Sequence, residues 1–104
     1  MHTPDKWLLL KCTPSDGAPP FYRIWATWGG SYTYGANWRL NSGINEVRSM
    51  FDGWICTGVS GTAYHLRRGA AGYVGAFPPP LVEGVELVGE ASEFLDDWAK
   101  GLVM

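Results

Sequence analysis

The chain predicts an α+β fold: an antiparallel β-meander of five or six strands packed by one C-terminal helix. Three observations carry that prediction. Between Trp38 and Leu66, three glycine-bearing turn signals (Ser42-Gly43, Asp52-Gly53, Ser60-Gly61) separate short segments rich in aromatic and β-branched residues. Fourteen Gly and seven Pro among 104 residues supply the many turns that a strand-rich fold needs. The one strong helical pattern lies at 90–102, where apolar residues recur along a single face.

Taken in order, Lys6 to Cys12 is a first strand, and its near-continuous apolar run predicts burial on both faces. Pro14 to Pro20 is a loop, because proline and glycine disrupt a strand ladder. Phe21 to Trp28 is a second strand, with Tyr22, Ile24, Ala26 and Trp28 on one face and Phe21, Arg23, Trp25 and Thr27 on the other. Gly29-Gly30 reads as a two-residue turn, after which Ser31 to Leu40 returns as a third strand. There Tyr32, Tyr34, Ala36, Trp38 and Leu40 share one face, and Thr33, Asn37, Arg39 and Asn41 the other. Ile44 to Phe51 fits a strand or a short helix; the Asp52-Gly53 pair after it, a favoured type I′ hairpin turn, favours the strand. Trp54 to Val59 and Thr62 to Arg67 complete the meander.

From Gly69 to Gly84 the chain reads as a Gly/Pro-rich connector containing the triplet Pro78-Pro79-Pro80, with one further short strand at Val85 to Val88. In the final helix Ala91, Phe94, Leu95, Trp98 and Leu102 line one apolar face, expected to cover the sheet with Phe94, Leu95, Trp98 and Leu102. Glu90, Glu93, Asp96 and Asp97 crowd the other side. The whole is read as one domain: meander at 6–67, connector at 69–84, helix at 90–102.

The charge is uneven. The net value is −2, but residues 1–70 carry seven Lys or Arg against four acids, and residues 71–104 carry Lys100 against six. A basic sheet beside an acidic helix follows. A 46% hydrophobic content with 6 Trp, 5 Tyr and 4 Phe excludes disorder. No apolar run approaches a membrane span, and the N-terminus lacks the pattern of a signal peptide, so a cytoplasmic location is expected.

Few chemical motifs emerge. Gly58-Val59-Ser60-Gly61-Thr62 fails as a nucleophile elbow, since the second required glycine is Thr62; Ser60 reads as a turn serine. Arg67-Arg68 before Gly69-Ala70-Ala71-Gly72 is a weak anion-binding candidate. His2 and His65 have no chelating neighbour in sequence, and Cys12 and Cys56 read as buried reduced thiols, so no metal, cofactor or catalytic constellation is expected. Two surfaces remain for a partner: a sheet face with Arg23, Trp25 and Arg39, and an outer helix face with Glu93 and Asp97. Trp and Arg are enriched at binding hot spots and Glu and Asp depleted, which favours the first. Arginine interleaved with aromatics, with Asn37 and Arg48 nearby, also fits a single-stranded nucleic-acid platform.

The segment Trp38-Arg39-Leu40-Asn41-Ser42-Gly43-Ile44, followed by Ser60-Gly61-Thr62-Ala63-Tyr64, resembles a group of small uncharacterised phage-encoded proteins. These carry a Trp-Arg-x-x-Ser-Gly-Ile segment and a later Ser-Gly-Ser/Thr-x-Tyr segment. Thr27-Trp28-Gly29-Gly30-Ser31-Tyr32 fits the same pattern, and the similarity spans about residues 21–66. The resemblance implies a phage accessory protein that binds and blocks host machinery, including CRISPR and other defence complexes. The expected function is therefore non-enzymatic inhibition of a host protein, with single-stranded nucleic-acid binding as the alternative.

Overall fold

Alternation along the strands gives each of two antiparallel sheets an apolar inner face, and the core forms where those faces meet. The computed structural model describes residues 1–30 and 35–102. Its elements are β1 (Lys6–Cys12), β2 (Phe21–Trp28), β3 (Asn37–Leu40), β4 (Ile44–Met50), β5 (Gly53–Gly58), β6 (Ala63–Arg67), β7 (Val85–Leu87) and α1 (Ala91–Ala99). One sheet has the order β3-β2-β1-β7, the other β4-β5-β6. Trp7, Leu9, Ile24 and Ala26 from the first pack with Val47, Trp54, Cys56, Tyr64 and Leu66 from the second. Trp7 and Trp54 meet edge to face across the gap, with centroids 5.7 Å apart.

The α+β class, the antiparallel pairing and the packing helix stand as expected, and Ile44 to Met50 is a strand. Among the described residues the strands number seven rather than five or six, and the meander is divided between two sheets. The division falls at Asn41-Ser42-Gly43. There the chain leaves Ile24, whose carbonyl still accepts the Asn41 N–H, and enters the second sheet, where Gly43 O accepts the Val59 N–H. Gly58 makes room for the crossing: a Cβ on it would lie 3.1 Å from Gly43 O and 3.3 Å from the Asn41 amide nitrogen.

Two turns differ from expectation. Gly29-Gly30 is not a two-residue turn, since β3 begins only at Asn37; the expected strand residues Ser31 to Tyr34 lie outside the described residues. At the β4–β5 hairpin the central residues are Phe51 and Asp52, and neither has positive φ, so the turn is not type I′. Gly53 is required for a different reason: a Cβ there would fall 2.0 Å from Leu66 O. The turn is held from outside by the Arg68 N–H on Asp52 O (2.8 Å) and by His65 Nε2, 2.9 Å from Asp52 Oδ1.

The helix is shorter than expected. Gly101, at φ 80, ends it: the Gly101 N–H bonds Trp98 O and the Leu102 N–H bonds Asp97 O, the pairing of a Schellman cap. Leu102 consequently leaves the apolar face and is 71% exposed, a correction to the expected stripe. Leu95 is fully buried, while Phe94 and Trp98 pack half-buried on Tyr22 of β2 (4.7 and 5.7 Å). On the second sheet, Asp96 accepts from Trp54 Nε1 (3.0 Å) and from both terminal nitrogens of Arg68 (3.2 and 2.9 Å), whose guanidinium lies 4.3 Å above the Trp54 ring. One helix thus ties the two sheets together.

Candidate functional site

By register, Phe21, Arg23, Trp25 and Thr27 share the outer face of the first sheet with Trp38 and Leu40 of β3. The connector, expected only as a loop, covers part of this face. Val74 N–H donates to Thr27 Oγ1 (3.0 Å), and Trp25 Nε1 donates to Phe77 O (3.0 Å), which leaves Trp25 buried. What stays open is a strip along β2 and β3. Trp38 stacks on Trp25, with centroids 4.8 Å apart and planes at 26°, and is 48% exposed. Phe21 is exposed at the far end. Between them Arg23 is oriented by its Nε bond to Asn41 O (2.7 Å). The Trp38 N–H is taken by Asn37 Oδ1 (2.8 Å), which blunts the edge against an added strand and leaves recognition to side chains.

Arg39 does not belong to this strip. Paired with Ala26, it faces the other way, beside the Tyr64 hydroxyl. Burial raises the Tyr64 pKa, and the neighbouring Arg39 guanidinium partly opposes that rise. The expected Arg23–Trp25–Arg39 face therefore resolves into two places. It also divides the Arg/aromatic platform expected for single-stranded nucleic acid, since Asn37 lies with Arg39 on the inner face. Around Arg39 a cleft of about 590 Å³ opens beside the N-terminal residues, and among the described residues it is walled by His2, Asp5, Trp28, Gly35 and Asn37. His2 meets Trp28 edge to face at 6.2 Å and lies tilted on Tyr64 at 5.1 Å. Its pKa is lowered by burial first, then by the positive charges of Arg39 and the N-terminus.

No protein-family model matches the chain, and neither a curated protein nor a solved structure does.

The two segments singled out in the sequence touch each other. Ser42 Oγ donates to Ser60 Oγ (3.3 Å), and Arg39 lies beside Tyr64. Their residue pattern thereby has a structural role, joining the two sheets at the crossover. Ser60 is an exposed turn serine. Arg68 is engaged by Asp96, and Arg67 by the carbonyls of Pro4 and Asp5 (3.3 and 3.4 Å), so both have internal partners rather than an open anion loop. Glu93 and Asp97 are exposed one helical turn apart. Cys12 and Cys56 are buried free thiols on different sheets, and burial pushes Cys56 up to about 12. Among the described residues no cluster of His, Cys, Asp and Glu could hold a metal, and no helix is long and apolar enough to cross a membrane.

Sequence reasoning missed Phe21 and Trp38 as members of the strip and His2 as a wall of the cleft. Period two assigns a face within one strand but not the register between strands, which is what brings Trp38 onto Trp25 and Arg39 to Tyr64.

Proposed function

We propose that the protein is a non-enzymatic binding protein that docks another protein on the outer β2–β3 strip. The observation that carries this is the half-exposed Trp38 stacked on a buried Trp25 whose indole N–H is already bonded. A large flat ring is thus presented with little freedom left to lose on binding. Arg23, fixed by Asn41 O, and exposed Phe21 complete a set of the residue types that dominate interface energetics. The resemblance across residues 21–66 supplies the partner class. In this reading the chain is a phage accessory factor acting in the host cytoplasm, where it occludes a host protein of a defence complex such as a CRISPR effector.

The test is capture from host lysate by the immobilised protein, read by mass spectrometry. Trp38→Ser combined with Arg23→Ala should lose the partner retained by the wild type, while Glu93→Lys with Asp97→Lys should keep it, all at unchanged melting temperature. Loss only in the charge-reversed variant would move the function to the acidic helix face.

A further inference from the structure

We infer that the cleft around Arg39 is a binding site for a nucleoside monophosphate unit, with the phosphate on Arg39 and the base against the Trp28–His2 wall. At about 590 Å³ the cleft falls within the size range of small-ligand sites. Arg39 is exposed there, and among the described residues no carboxylate lies within ion-pair distance of it. Its planar fork suits a phosphate, and the Asn37 amide on the same strand lines the same cleft. Trp28 is held by donating its indole N–H to Thr3 O (3.1 Å), and His2 is set against it edge to face, so the aromatic wall is already formed. Aromatic walls accept any base by stacking.

Asp5 also lines the cleft, and a carboxylate there opposes a ligand that is anionic throughout. One of its oxygens is already committed to the Gly29 N–H (2.8 Å). The other suits an amino donor on a base. The cleft is therefore built for a ligand with an anionic end and a neutral flat end, which a bare phosphate ion is not. His2 fits the same arrangement: burial and the positive charge of Arg39 lower its pKa, which favours the uncharged ring. This site lies on the opposite face of the sheet from the strip proposed for protein docking, so the two inferences stand or fall separately.

Isothermal titration of the full chain with AMP, adenosine and inorganic phosphate tests it, with a 5′-phosphorylated and an unphosphorylated short DNA strand as further arms. AMP should bind saturably at one site. Arg39→Gln should weaken it by about tenfold, the loss of one charge-assisted contact, while Arg48→Gln on the other sheet leaves it unchanged. Adenosine and phosphate should each bind more weakly than AMP. A preference for the 5′-phosphorylated strand over AMP would identify a strand end as the natural source, and the reverse a free nucleotide. The absence of saturable AMP binding up to millimolar concentration, phosphate binding as tightly as AMP, or full affinity in Arg39→Gln would each overturn the inference. Unchanged indole and amide chemical shifts away from the cleft confirm that the variant is folded.

Discussion

Glu90 is the only non-glycine residue with positive φ among those described; at φ 54 and ψ 44 it caps α1 in the left-handed region without a side-chain hydrogen bond. A left-handed conformation costs an ordinary residue about 1–2 kcal/mol, and asparagine tolerates it while capping well. Glu90→Asn should raise stability by about 1 kcal/mol in denaturant unfolding; no gain would mean that the cap is not strained. At Cys56 the thiol pKa is pushed from 9.0 to about 12 by burial. In the native protein at neutral pH its thiolate fraction is then roughly a thousandfold below that of an open thiol. A thiol reagent should modify Cys56 only as fast as the protein opens, and both cysteines promptly in denaturant. Rapid native labelling of Cys56 would contradict the burial. Buried thiols were legible in the sequence, because each cysteine sits in an apolar run. The backbone angle of Glu90 was not, because nothing in a Gly-Glu-Ala run marks which residue turns left-handed.

At the scale of elements, α1 was legible as an amphipathic segment, but its end was drawn too late because leucine at 102 continues the apolar spacing past Gly101. The Schellman cap sets the end at Lys100, and the energetics should follow. Leu95→Ala should destabilise by about 2–5 kcal/mol, as for a buried leucine, and Leu102→Ala by about 0.5 kcal/mol or less. Equal effects would restore the longer helix. The Asp96 clasp has a pH signature. Hydrogen bonding from Arg68 holds the Asp96 pKa below the ordinary carboxylate value, with smaller help from Trp54. A depressed native pKa stabilises the fold fully above the unfolded carboxylate range and loses that contribution as pH falls through the native value. Asp96→Asn keeps an oxygen for Trp54 but gives up the ion pair. It should therefore be less stable than wild type at neutral pH, with the difference closing on acidification; a difference constant with pH would remove the ion pair from the account. Both partners are partly exposed, which keeps the effect small.

At the scale of the molecule, the turn signals told where the chain reverses but not which sheet each reversal joins. A meander on one sheet and a meander folded over itself share the same local pattern. What decides between them is the apolar demand on both sides of β1: Trp7 and Leu9 need one cover, Leu10 and Cys12 another, and a single helix cannot supply both. The second sheet covers the first pair and the connector lies over the opposite face, so the candidate strip is only what that connector leaves uncovered. Alternation puts Arg23 and Trp25 on one face, and the strand register keeps them there. Arg39, expected on the same face, pairs with Ala26 and lies on the opposite side. The docking surface proposed for this protein is the strip carrying Phe21, Arg23 and Trp38. Hydrogen–deuterium exchange on the complex with the captured partner tests it most directly. New protection is expected at residues 21–25 and 37–40, with Ala91–Ala99 exchanging as in the free protein. Protection confined to Ala91–Ala99, with the strip unchanged, would contradict it.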